Sequence, residues 1–161
     1  MAPSESSNGL LLIIERDQAK QLFGAKGDEP LMEFLSSFIA EEAHATNILD
    51  LQQRWRNLHS AFCGGDDSTE GGSPPLNQCI LGGRPLSSDD EKMIVRLVRP
   101  DVIQHIANAS NEFDIEASKG HYESGDSDAD WDAGRSLLEN VLQHFRTAAE
   151  KRAAVVFFVT F

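Results

Sequence analysis

The period of the apolar residues changes several times along the chain, and each change predicts an element. Residues 10–14, Leu-Leu-Leu-Ile-Ile, form a short unbroken apolar run of strand type. A polar stretch beginning at Asp17 reads as a helix over residues 17–23 that Gly24 ends. From Leu31 the period becomes helical, with Leu31, Leu35, Phe38 and Ile39 on one face. A further helical stripe joins Leu51, Trp55, Leu58 and Phe62 and closes at Gly64 and Gly65, since glycine is favoured just beyond a helix. Residues 76–81 read as a second strand stopped by Gly82 and Gly83. Residues 93–98 carry two opposed signals. Ser88 and Glu91 make a capping-box pattern, but the β-branched content and the stop at Pro100 favour a strand, which is the expectation adopted. Pro100 suits the first position of a new helix, with Val102, Ile103, Ile106 and Ala109 as its apolar face. Residues 112–132 are polar and irregular. A long helix follows over about residues 130–152, burying Trp131, Leu138, Val141, Leu142, Phe145 and Ala149. Residues 153–161 are nearly all apolar and suit a central strand covered on both faces.

These elements predict one compact α+β domain over residues 9–161. It would hold a short mixed sheet with a central C-terminal strand, packed by several helices. Residues 1–8 read as a disordered tail and residues 64–75, rich in Gly, Ser, Pro and Asp, as a flexible loop. A chain of 161 residues is long enough to bury one sizeable core.

Charge narrows the partners. The formal net charge is -12, from 26 acidic and 14 basic side chains. Phosphate neutralisation by Lys and Arg dominates nucleic-acid affinity, so nucleic acid is not an expected partner, and an anionic membrane surface is not either. A basic protein is. Between Glu112 and Asp132 there are eight acids against the single base Lys119. Glu123, Asp126, Asp128 and Asp130 are the candidate partner face. No secretory leader and no run of 18 apolar residues is present, so a cytoplasmic protein is expected, with Cys63 and Cys79 as free thiols.

Candidate chemistry is sparse. Trp55 and His59 share a helical side with Leu58 and could wall a ligand pocket, although a histidine bonded within the core is the plainer reading. Gly82, Gly83 and Arg84 follow the second expected strand and could cradle an anion, although a strand-ending turn is the plainer reading. The alternating acids of residues 126–132 suggest calcium. An EF-hand loop starting at Asp126 would need glycine sixth and glutamate twelfth, where Trp131 and Leu137 stand. The five histidines show no metal-binding spacing, and no nucleophile elbow occurs. No catalytic residue, metal or cofactor is assigned. The binding candidates are Trp55, His59, Arg84 and Trp131.

Several segments, in order, resemble the YfbM-like family of bacterial proteins of uncharacterised function. They are Trp55-x-x-Leu58-His59 with its closing glycine, Pro75 and Leu76 running into Ile80-Leu81-Gly82-Gly83, and the strand-to-Pro100 junction over residues 95–103. Phe113-Asp114, Tyr122, Trp131-Asp132 and Ala148-Ala149 before an apolar end complete the set. Two departures are local: Arg99 stands where the family often has Ser or Thr, and the loop 64–75 is expanded. The resemblance implies a compact α+β fold and transfers no catalytic role. The leading functional expectation is a non-catalytic acidic interaction module that neutralises a basic partner, as an immunity protein does. The alternative is a small-molecule binder or enzyme with its pocket near Trp55 and His59.

Overall fold

The terminal apolar run takes the middle of the sheet. The computed structural model describes residues 8–65, 74–88, 91–124 and 130–161. Among these, five strands are present: β1 (Gly9–Ile14), β2 (Ile48–Gln52), β3 (Arg84–Pro85), β4 (Met93–Val98) and β5 (Ala154–Thr160). They pair in the order β2-β1-β5-β4-β3, with β5 central. Every pairing is antiparallel, which corrects the expected mixed sheet: no helical crossover joins neighbouring parallel strands here. The expected tail at 1–8 and loop at 64–75 lie outside the described residues, apart from Asn8 and the loop's two ends.

Burial on both faces explains why β5 is apolar from Ala154 to Val159. Ala154, Val156 and Phe158 face one side, together with Leu12, Ile14, Met93, Val95 and Leu97. That side is covered by α1 (Arg16–Gly24) and α2 (Asp28–Ala40) through Leu22, Leu31, Leu35 and Phe38. Val155, Phe157 and Val159 face the other side, beneath α3 (Trp55–Phe62), α4 (Pro100–Ser110), α5 (Lys119–Ser124) and α6 (Trp131–Glu150). The result is three layers, helix on sheet on helix, and the α+β class holds.

Three local expectations are overturned. Leu51 belongs to β2, not to the helix of Trp55. The four-residue spacing between them spans a reversal at Gln52, whose φ is +58°. Residues 76–81 are not a strand. A 3-10 turn (Leu76–Gln78) leads into buried Cys79, Ile80 and Leu81, and the chain doubles back so tightly that a Cβ on Gly82 would fall 2.8 Å from the carbonyl carbon of Asn77. A Cβ on Gly83 would likewise fall 2.8 Å from the carbonyl oxygen of Leu97. These glycines admit close backbone approach, and the extended segment follows them as β3. The capping-box pattern before β4 yields to burial: Ser88 gives its N–H and its hydroxyl to Asp28 at 2.9 and 2.6 Å, and all six residues of β4 are buried.

Candidate functional site

Helix α3 carries an unusual load of buried polar side chains. Asn57, His59 and Ser60 are all buried on a helix of eight residues. Each needs a partner, because an unpaired buried polar group costs about 1–3 kcal/mol. Asn57 donates to the carbonyl of Tyr122 at 2.8 Å, and Ser60 donates to the carbonyl of His121 at 2.9 Å. The two bonds pin α5 to α3. Gly64 and Gly65, with φ of +68° and +97°, end α3, and the Gly65 N–H returns to the Ser60 carbonyl at 2.8 Å.

This wiring holds open a shallow cleft of about 630 Å³ between the C-terminal ends of α3 and α4 and the segment before α5. Phe62, Phe113, Pro75 and Leu76 supply its apolar floor, with the Phe62 and Phe113 rings 5.1 Å apart. Glu112, Asp114 and His121 supply polar walls. A second concavity of about 500 Å³ shares Pro74, Pro75, Ala109 and Glu112 and extends to Val102 and His105. Electrostatics sharpen this end of the molecule. Glu116 is paired with Arg135 at 2.6 Å and Glu123 with Lys119 at 4.0 Å. Glu112 forms no ion pair among the described residues, and Asp114 accepts the Ala117 N–H at 3.1 Å. The C-terminal carbonyl end of α4 adds partial negative charge beside Glu112.

The structure disperses the residues singled out from the sequence. Trp55 is 4% exposed, its indole 5.5 Å from the ring of Phe157 and 6.4 Å from that of Phe161. It also lies over Gly9, where a Cβ would fall 2.9 Å from the indole. His59 is fully buried, and its Nδ1 accepts the Leu81 N–H at 3.4 Å. Neither lines the clefts above; Cys63, in contact with His59, does. Arg84 is exposed on β3. Trp131, the first residue of α6, is half-buried and meets Tyr122 edge-on at 5.6 Å. Glu123 is exposed on α5, and Asp130 lies 3.8 Å from Arg54. Asp126 and Asp128 lie outside the described residues. Sequence reasoning missed Phe62 and Phe113 as cleft residues. Their signal was an aromatic at each end of segments read for other reasons, and only the fold brings them together.

One thiol and one imidazole meet behind the cleft. The Cys63 sulfur is 3.6 Å from Nε2 and 3.7 Å from Nδ1 of His59. Near-equal distances place the sulfur along neither nitrogen's lone pair, which is the wrong geometry for proton transfer. Burial pushes the Cys79 thiol far above its ordinary pKa, so it stays protonated. Both cysteines are free. Among the described residues no group of His, Cys, Asp or Glu is placed to hold a metal ion. None of the described helices is long and apolar enough to cross a membrane.

No curated protein matches the chain. Among solved structures it is similar to "The Crystal Structure of a Protein of Unknown Function YfbM from Escherichia coli", with a TM-score of 0.69 and 15% identity over 95% of this chain and 99% of that one. Identity that low speaks for the fold alone, and that fold is the three-layer arrangement described above. A family model described as a Domain of unknown function matches residues 6–158, from before β1 into β5. The resemblance to YfbM-like proteins read from the sequence therefore holds, and the chain belongs to the family of the Domain of unknown function (DUF1877).

Proposed function

We propose that this protein is a non-catalytic interaction module whose acidic cleft receives a basic segment of a partner protein, neutralising it as an immunity protein does. The observation that supports this reading is the composition of the cleft beside Phe62 and Phe113. An apolar floor with carboxylates at Glu112 and Asp114 fits a side chain that is apolar along its stem and cationic at its tip. Lysine and arginine have that form. The chain's net charge of -12 would speed encounter with such a partner and hold off acidic ones. The alternative is a small-molecule binder or enzyme with a pocket near Trp55 and His59; both side chains are buried, and Cys63 beside His59 reaches the cleft.

The test uses a short peptide of alternating lysine and leucine, labelled for fluorescence anisotropy, against the wild-type chain and a Glu112→Gln, Asp114→Asn variant. Binding should be saturable at low salt and weaken at least tenfold in the variant. It should also fall as salt shortens the Debye length from about 30 Å at 0.01 M to about 8 Å at 0.15 M. A glutamate–leucine peptide should not bind. Equal affinity of the two proteins for the basic peptide would end this reading.

A further inference from the structure

At the opposite end of α4 the electrostatics reverse. Three chain junctions converge there, β1 into α1, β4 into α4, and α6 into β5, and each contributes one arginine: Arg16, Arg99 and Arg152. They surround a cavity of about 260 Å³ with a floor of Ile14, Leu97, Ala153 and Ala154, and Phe23, 55% exposed, stands at its edge. Among the described residues no carboxylate lines it. Arg99 gives one N–H to Asp101 at 3.4 Å, an exposed pair, while Arg16 and Arg152 form no ion pair among the described residues.

Two of the three arginines stand where the helix dipole disfavours a cation, and the third where the backbone disfavours any residue but glycine. Arg16 is the first residue of α1 and Arg99 caps the start of α4, both at the positive end of a helix dipole, which disfavours a cation. Arg152 occupies the position just past α6 with φ of +53°, where glycine is the usual residue. Its N–H bonds the Ala149 carbonyl and that of Ala153 bonds the Ala148 carbonyl, a complete left-handed helix ending built without glycine. The negative end of α6 welcomes a cation at Arg152, but that argument has the wrong sign for Arg16 and Arg99. What the three share is the cavity. Guanidinium groups whose donors are largely unpaired among the described residues, set around an apolar floor, are together the complement of an oxyanion on a compact hydrocarbon body.

We propose that this cavity is a binding site for a small organic oxyanion, a phosphate monoester or carboxylate carried on a group about the size of a benzene ring. The site is independent of the acidic cleft and of any basic partner there.

The experiment is an amide NMR titration of the full chain with phenyl phosphate, benzoate, inorganic phosphate and neutral benzyl alcohol. Phenyl phosphate or benzoate should shift Arg16, Ala153 and Ala154 saturably, and the tighter of the two identifies the preferred head group. Inorganic phosphate should bind at least tenfold more weakly than that ligand, and benzyl alcohol should leave these amides in place. Arg152→Gly removes the guanidinium while suiting the backbone. It should lower affinity at least tenfold with an unchanged or higher denaturation midpoint, and Arg16→Gln should lower affinity similarly. Unshifted amides with both organic anions, equal binding of benzyl alcohol, or undiminished affinity in both variants would overturn the assignment.

Discussion

Replacing Gly134 with alanine sets two effects of opposite sign against each other, and the structure decides which is larger. Gly134 lies in the first turns of α6, where alanine is favoured over glycine by up to about 1 kcal/mol. Yet a Cβ there would fall 2.5 Å from Cε2 and 2.7 Å from the hydroxyl oxygen of Tyr122. Ordinary contact begins near 3.4 Å, so ring and helix would have to separate by about 1 Å. Tyr122 cannot swing away freely. It is fully buried, it meets Trp131, and its backbone carbonyl is held by Asn57. Overpacking of this kind costs about 1–3 kcal/mol, so a net destabilisation of roughly 1–2 kcal/mol is expected after the propensity gain. Gly120 on α5 is the control, because nothing lies within 4 Å of a Cβ built there. Gly120→Ala should stabilise by about 0.5–1 kcal/mol. Urea denaturation followed by tryptophan fluorescence reads both variants, and Tyr122→Leu combined with Gly134→Ala should recover part of the loss. If Gly134→Ala matched or exceeded wild-type stability, the α5–α6 contact would be yielding and the steric reasoning wrong.

His144 makes stability depend on pH. Burial lowers its pKa to about 4 from 6.5, only partly opposed by the bond between Nε2 and the Leu11 carbonyl at 3.0 Å. Below pH 6.5 the unfolded chain takes up a proton that the native state refuses, so stability falls as pH drops through this window. The loss is about 3 kcal/mol on reaching pH 4, and His144→Gln should flatten it in denaturation curves at pH 7 and 4.5. Trp55→Ala should cost about 3–5 kcal/mol as a core truncation, whereas half-buried Trp131 should cost about half as much; similar losses in thermal melts would contradict the burial difference. Deleting residues 155–161 removes the strand that β1 and β4 both pair with, and should abolish the cooperative thermal transition; a soluble product with an unchanged transition would refute its central role.

What was legible in the sequence was whatever one short window could carry. The unbroken apolar residues 154–159 announced a strand buried on both faces, and Pro100 announced the start of α4, because each signal is local in cause. β2 was not legible. Its apolar residues Ile48, Leu49 and Leu51 lie at an edge without clean alternation, and Leu51 happens to stand four residues before Trp55. The run at 76–81 misled because consecutive burial has two causes, a central strand or a tight turn plugging a core, and only the glycine packing at Asn77 and Leu97 separates them. The sites were less legible still. Phe62 and Phe113, and likewise Arg16, Arg99 and Arg152, are far apart in sequence and adjacent only through the sheet order. His59, prominent by its spacing from Trp55, owes its place to a backbone N–H it accepts in the core.

The pairing of β1 with β5 also governs the timing of folding. Leu12 lies opposite Val156, so the first strand of the sheet waits for a partner far along the chain to be synthesised. Until residues 154–160 leave the ribosome, β1 has β2 on one edge and nothing to occupy the other, and β4 lacks the same neighbour. Helices α3, α4 and α6 can form from local contacts in that interval, but the floor they pack on is incomplete. Pairings this distant in sequence make folding slow relative to helical bundles of similar size, because loop closure precedes its reward. The segment most prone to self-association, Ala-Val-Val-Phe-Phe-Val-Thr, is also the one made after its two partners. It pairs with both on joining the sheet, and each pairing hides one of its edges.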